Sequence, residues 1–238
     1  MYAPKTRISF KKKLLQLNRD LDSVSRIVKF ETQYYFLSDR SHEPYHSELS
    51  NLQRAVLFLE DRRYFRHHGL DFRAPLRIVR QALQSKRIGG ISTIDAQVVR
   101  IALNRYERTL SRKVDESILA LSLNAYQSKL EIFHYYLHFA YLGYRLEGVE
   151  VASRHIFGRD AVRLDEAQAS FVAALFARPM PRAVYELLAT SPRLDMSAEQ
   201  ITILAENLDC RKWANAVRRR HEYAAEYIHL IPKSLPII

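Results

Sequence analysis

Apolar residues recur at three- and four-residue steps along most of the chain, and short polar or glycine-containing breaks separate the runs. That pattern predicts helices joined by tight connections. Between 47 and 65, Leu52, Ala55, Val56 and Leu59 mark one face, so a helix is expected over Ser47–Phe65. Asp71 can cap a helix carrying Leu76, Ile78, Val79, Ala82 and Leu83, with Arg73, Arg77, Arg80, Lys86 and Arg87 interleaved, and Gly89-Gly90 ends it. Ser92 or Thr93 opens the next, to about Leu103. Another spans roughly Ser111–Tyr126, with Val114, Ile118, Leu121 and Ala125 at helical spacing. Ser128 to Glu131 reads as a capping box for an aromatic helix through Tyr141. Gly143 and Gly148 bracket a turn before a helix to Phe157, and Asp165 to Gln168 caps a very apolar helix that stops before Pro179. Ser197 to Gln200 opens a later helix, and Arg211–Leu230 is a basic, aromatic final one. One extended segment is expected, at Tyr34–Leu37, in an aromatic-rich stretch broken by Pro44.

Composition agrees with a helical chain. Only 6 Gly and 8 Pro occur in 238 residues, no repeat is visible, and 47% apolar residues can fill a core. No Gly- or Ser-rich linker divides the helices, so an all-α single domain with little or no β structure is expected. The single Cys210 excludes an internal disulfide framework. The net charge of +11 favours an anionic partner: nucleic acid, anionic lipid or a phosphate-bearing substrate. Basic residues are spread over most helices and form no recognition module, so nucleic acid is set aside.

No stretch approaches 18 consecutive apolar residues, and the first residues are too charged for a secretory signal. As written, the chain reads as soluble or peripheral. Lys5, Arg7, Lys11, Lys12 and Lys13 alternate with Ile8, Phe10, Leu14, Leu15 and Leu17. Such a basic amphipathic helix suits either an anionic membrane surface or ordinary packing on the domain.

Candidate chemistry concentrates at Glu60–Gly69, E-D-R-R-Y-F-R-H-H-G. Glu60 follows Val56 by one turn, on or beside the core-facing side, where a carboxylate is either paired or working. Asp61 suits orientation of the loop or of a basic partner, and His67 suits a structural place beside Phe65. Arg112, Lys113 and Glu116 fall at i, i+1 and i+4, which is equally the spacing of a plain helical ion pair.

Five segments then occur in order. They are Glu60-Asp61-(x2)-Tyr64-Phe65-x-His67-x-Gly69; Gly90-Ile91-Ser92-Thr93-Ile94-Asp95-Ala96-Gln97-(x2)-Arg100; Arg112-Lys113-(x2)-Glu116; Ser128-Lys129-x-Glu131-Ile132-(x3)-Tyr136-Leu137-His138 with Gly143 and Gly148-Val149 beyond it; and Phe157-Gly158 followed by Leu164, Glu166 and Ala167. The series resembles the family 51 peptidoglycan glycosyltransferases, the transglycosylase domain of bifunctional penicillin-binding proteins and its monofunctional relatives. It covers about residues 45–185. On that reading, residues 1–44 form an N-terminal basic amphipathic helix and extended segment, and 186–238 a C-terminal helical extension packed on the core.

The resemblance implies a lysozyme-like fold that polymerises lipid II. The 4-hydroxyl of an acceptor disaccharide attacks the anomeric carbon of a donor held as its undecaprenyl pyrophosphate, with inversion. Glu60 matches the general base, and Glu116 the glutamate near the donor pyrophosphate. Arg112 and Lys113 match the basic pair for that leaving group, and Ser92, Thr93 and Gln97 the donor-site contacts. Arg100 stands where the family has Lys, and Lys86 or Arg87 lies near a further donor-site Lys. Asp61, Phe65, His67, Gly69 and Lys129 are supporting residues, and Gly158 also looks architectural. The segment Phe72–Arg87 corresponds to the family's mobile, membrane-dipping part.

Implied partners are lipid II, the nascent glycan, a peripheral membrane surface and a membrane-anchored protein. The implied location is the periplasmic face of the bacterial inner membrane, with the route of export open. A divalent cation, Mg2+ or Mn2+, is the admissible cofactor; no dedicated metal site is encoded, and Asp95 is the candidate ligand. The chain departs from the family at Asp95 and Ala96, where a hydroxyl residue and a Gln are usual, and at His138 and Glu147. A carboxylate beside a pyrophosphate subsite repels the donor unless it is paired or holds a metal. The alternative is therefore a degenerate member that binds lipid II or glycan without polymerising it.

Overall fold

The computed structural model describes residues 10–38, 48–71, 92–190 and 196–234. Ten α-helices are present among them: α1 Phe10–Ser38, α2 Asn51–Glu60, α3 Ile94–Ala102, α4 Leu110–Leu123, α5 Lys129–Phe139, α6 Val149–Phe157, α7 Glu166–Ala174, α8 Arg182–Thr190, α9 Ala198–Asn207 and α10 Arg211–Tyr227. Tyr141–Gly143 (β1) pairs antiparallel with Leu146–Glu147 (β2) as a two-stranded hairpin between α5 and α6. The mainly α architecture is as expected.

The starts of the helices follow from their caps. Ser50, Ser128, Asp165 and Ser197 each accept a bond from the amide three residues on, and Gln53, Glu131, Gln168 and Gln200 answer with their own side chains. Each box satisfies two backbone donors that a helix start otherwise leaves open. Thr93 caps α3 and Thr109 caps α4.

Three expectations are corrected. Tyr34–Leu37 is not extended: α1 runs through it to Ser38, the continuing helix overriding local aromatic β preference. The helix expected to reach Phe65 stops at Glu60, because Asp61 takes non-helical φ −155° and ψ 82°. Its carboxylate accepts from His67 Nε2 (2.9 Å) and the Ile94 amide (3.3 Å), and Tyr64–Arg66 then forms a single 3-10 turn. On α4 the apolar set Val114, Ile118 and Leu121 is exposed, while Glu116, Leu119, Ala120 and Leu123 are buried. The expected helix at Phe72–Arg87, with Lys86 and the Gly89-Gly90 stop, lies outside the described residues.

Helices α2, α7 and α10 pack on one another, and α3 packs on α4 and α5, with α1 laid across α4 and α5. Tyr64, Phe58, Tyr136, Phe133 and Phe171 are the largest fully buried side chains. Burying an aliphatic or aromatic side chain contributes roughly 1.5–3 kcal/mol each relative to exposure. Arg54, buried on α2, donates from Nε to Ile231 O (3.0 Å) and from Nη2 to Ile228 O (3.2 Å), tying the end of the chain to α2.

Gly69 closes the loop after the 3-10 turn at φ +88°, and a Cβ there would stand 2.4 Å from Ala120 O on α4. Both the backbone conformation and the space exclude a side chain. Gly69→Ala is expected to destabilise the fold by about 2 kcal/mol or more, since either strain alone costs on the order of 1–3 kcal/mol. Urea unfolding measures it; a loss below half a kcal/mol would mean that the loop relaxes without cost.

Candidate active site

Glu60 is the last residue of α2 and is only 8% exposed. Arg220 Nη2, from the buried side of α10, donates to its Oε1 at 2.6 Å, and Gln97 Nε2, from α3, donates to Oε2 at 3.4 Å. Gln97 is itself oriented by the Tyr136 hydroxyl, which donates to its Oε1 at 3.0 Å. Burial raises the pKa of Glu60 above the usual carboxylate value, and the Arg220 charge and the Gln97 bond offset part of that rise. Burial likewise pushes the Tyr136 phenol well up, with the Glu60 charge adding to it, so Tyr136 stays a donor.

One turn further along α3, Arg100 grips Glu116 of α4 in a two-point contact, Nε to Oε1 at 3.0 Å and Nη2 to Oε2 at 3.2 Å. Arg112 also donates to Glu116 Oε1 from the preceding turn of α4. These groups line a cleft of about 190 Å³ together with Arg105, Glu107, Thr109 and Asp115, and Arg105 is itself held by Asp20 at 2.6 and 3.0 Å. Gln97 and Arg100 stand three residues apart, and side chains so spaced share a helix face. One face of α3 therefore holds Glu60 with one side chain and Glu116 with the next. Glu60 is not among the described residues lining the cleft at Glu116, and Lys113 is exposed and also absent from it.

Asp95 points the other way. It is fully buried, receives Lys129 Nζ on both oxygens (2.8 and 2.9 Å), and accepts from Asn124 Nδ2 at 2.8 Å. The Lys129 ammonium also sits 4.3 Å from the Tyr64 ring centre, and Tyr64 OH donates to Lys129 O at 2.7 Å. Burial lowers the Lys129 pKa, and Asp95 opposes that fall. The carboxylate that replaces the family's hydroxyl residue thus enters a buried ion pair beneath the site and does not face Gln97.

Asp61, His67 and Asp95 bring one ligand atom each to within 4.8 Å of one another, a spacing that could hold a metal ion. An ammonium already occupies both Asp95 oxygens and His67 Nε2 is engaged with Asp61, which leaves the buried His67 Nδ1, without a hydrogen-bond partner and 4.0 Å from Asp95 Oδ2, as the one open ligand atom of the three. At Glu116 two guanidinium groups take the carboxylate. Neither arrangement fits a resident cation without displacing a charged partner.

The remaining expected residues have structural company. Thr93 Oγ1 donates to Gly69 O at 2.6 Å while capping α3, Ser92 is half-buried in the bend before it, and Phe65 packs edge-on against Tyr64 at 5.0 Å between ring centres. Three residues of the site were not singled out from sequence. Tyr136 lies within a quoted motif, and Arg105 follows the α3 face. Arg220 is one of three consecutive arginines, and nothing in the sequence marks it from Arg218 or Arg219.

A buried carboxylate at the end of α2 and an arginine-lined cleft at Glu116, on a mainly α scaffold, agree with a lysozyme-like transglycosylase domain. The Transglycosylase family model matches residues 32–205. The biosynthetic peptidoglycan transglycosylase of Nitrosomonas eutropha is 32% identical over 151 residues, 63% of this chain and 61% of the relative. That of Haemophilus influenzae is 31% identical over 179 residues, 75% of this chain and 68% of the relative. Penicillin-binding protein 1A of Aquifex aeolicus is 36% identical over 129 residues, 52% of this chain but 17% of that protein. The chain belongs to the transglycosylase family, and it spans about three-fifths of the length of the Nitrosomonas relative.

Proposed function

We propose that this chain is a peptidoglycan glycosyltransferase that polymerises lipid II into glycan strands. The observation that carries the reading is the shared face of α3, which presents Gln97 to Glu60 and Arg100 to Glu116 one turn apart. Glu60 takes the proton of the acceptor 4-hydroxyl as its oxygen bonds to the donor anomeric carbon. The carbon–oxygen bond to the lipid pyrophosphate breaks with inversion, and the leaving group departs with the electron pair. A base on one side and charge neutralisation on the other is the division of labour that such a displacement needs. Arg100 and Arg112, two guanidinium groups on the single Glu116 carboxylate, leave net positive charge where the pyrophosphate departs, with Arg105 held beside them by Asp20 and Lys113 as an outer contact; Lys86 is a further proposed donor contact. Glu116 holds Arg100 and Arg112 in register. Ser92, Thr93 and Gln97 border the donor sugar. The inward pairing of Asp95 supports an active enzyme, because its charge is spent on Lys129.

A divalent cation, Mg2+ or Mn2+, would neutralise pyrophosphate charge when bound with the substrate. The relatives' role in peptidoglycan synthesis supports a place at the extracytoplasmic face of the inner membrane. Among the described residues, no helix is long and apolar enough to cross a membrane. The proposed contact with the bilayer is the exposed stripe Leu110, Val114, Ile118 and Leu121, on the side of α4 opposite Glu116. Ile118→Glu is expected to weaken binding to phosphatidylglycerol vesicles at least about threefold, one exposed aliphatic group contributing roughly 1 kcal/mol. Unchanged sedimentation with vesicles would remove the stripe from the membrane contact.

Polymerisation of labelled lipid II, followed by gel separation of glycan chains, tests the proposal. No product from correctly folded protein overturns it. The pH profile adds a second reading. Activity needs ionised Glu60, so kcat/KM falls as pH drops through its pKa, above the ordinary carboxylate value. Arg220 lowers that pKa, so Arg220→Gln is expected to move the acidic limb to higher pH. A limb that stays in place would separate Arg220 from the titrating group.

A further inference from the structure

The outer side of α10 carries a second cationic concavity, which shares no lining residue with the cleft at Glu116. A groove of about 770 Å³ runs between the Ala177–Pro179 turn and the first half of α10. Arg178, Lys212 and Arg219 line it, and none of them forms an ion pair among the described residues. Arg218 also lines it but is engaged with Glu206 at 2.7 Å and with Thr202. Trp213 forms part of the wall, fixed by its indole N–H donating to Arg178 O at 2.9 Å. At the head of the groove, α10 begins without a side-chain cap at Cys210, so its first amides add partial positive charge. Most of this surface belongs to α10, which lies beyond the residues that the family model matches.

Unpaired cations that converge on a concave wall repel one another, and an anionic ligand removes that cost. Lys212 and Arg219 are seven residues apart on α10, so they stand about 10 Å apart along its axis. That separation is close to one disaccharide repeat of a glycan. A tethered indole beside guanidinium and ammonium groups offers an apolar wall for a sugar ring and charged donors for carboxylates. The indole is tethered to Arg178 O and cannot swing outward toward a lipid surface without losing that bond. Arg219 lines the groove, and the next residue, Arg220, holds Glu60 on the inner side of the same helix.

We infer that this groove binds the carboxylate-bearing glycan strand, as a second subsite outside the reaction cleft. The inference rests on the proposed function for the identity of the strand. Trp213 is the only tryptophan of the chain, so its fluorescence reports the groove directly. Soluble uncrosslinked glycan strands with intact peptide stems, titrated into the full chain, are expected to shift Trp213 emission saturably. The double variant Lys212→Glu, Arg219→Glu should bind at least about tenfold more weakly, each charge-assisted bond being worth about that factor. Strands with amidated carboxyls should lose affinity to a similar degree. Glu60→Gln should bind strands as wild type does while forming no polymer, so that failure of the groove and failure of the enzyme reading are separable. No emission change with strands, equal binding by the double variant, or a response to phosphatidylglycerol vesicles alone would overturn the inference.

Discussion

Glu60→Gln is expected to abolish lipid II polymerisation, lowering kcat/KM by about 10²- to 10⁴-fold, the range in which a positioned general base contributes. The substitution preserves shape and keeps one oxygen for Arg220, while Gln97 Nε2 then faces the new amide nitrogen, so a fold check accompanies the activity assay. Circular dichroism should match wild type, while the thermal midpoint reads the balance between losing the Arg220 ion pair and no longer burying a charge. Stability carries a sign of its own. The folded pKa of Glu60 is raised, mainly by burial, so the native state holds this proton more tightly than the unfolded chain. Stability from that difference is full below the unfolded carboxylate pKa and is lost as pH rises through the folded value. Wild type should therefore lose stability relative to Glu60→Gln across that window. Residual activity within tenfold of wild type would remove Glu60 from the role of base.

Lys129→Met is expected to be the most destabilising of the single changes considered. It deletes the ammonium that both Asp95 oxygens bind and leaves a fully buried carboxylate without its cation. Breaking a buried pair by removing one partner costs about 3–5 kcal/mol. For a domain of this size that lowers the thermal midpoint by roughly 10 °C. Lys129→Met combined with Asp95→Asn should recover part of the loss, because the uncompensated charge is gone and the two sites share one network. Thermal unfolding of the two variants and wild type gives the comparison. A single variant that melts within 2 °C of wild type would show that Asp95 finds another partner. The location of this network explains why an extra carboxylate is tolerated in the second motif. It lies between the Asp61 loop and the start of α3, fully buried, so it ties these two elements together beneath Glu60 and Gln97.

The capping boxes at Ser128, Asp165 and Ser197 were legible in sequence because a cap is a contact between near neighbours, and the structure has each one. The order of the five motifs likewise carried family and fold, since chemistry-bearing residues at set spacings survive without reference to their surroundings. What the sequence left undetermined was direction. Helix α4 has two stripes at helical spacing, and the more apolar one, Val114, Ile118 and Leu121, is turned outward. Period alone cannot tell which of two opposed faces meets the core; here the buried one carries Glu116, because Arg100 and Arg112 neutralise it there.

Asp95 and Gln97 show the same limit at shorter range. Two residues apart on one helix, they were both placed at the donor site by motif, yet one turns into the core toward Lys129 and the other toward Glu60. Arg220 marks the far end of the scale, 160 positions from Glu60 and adjacent to it in space. The sequence determined by itself most of the helices after residue 47, their capped starts and the family, which depend on neighbours within a turn or two; the continuation of α1 to Ser38, the end of α2 at Glu60 and the helix α8 were not legible in it. Only the tertiary structure decided which partners each charge meets, because burial and the approach of distant helices fix the cost of leaving a charge alone.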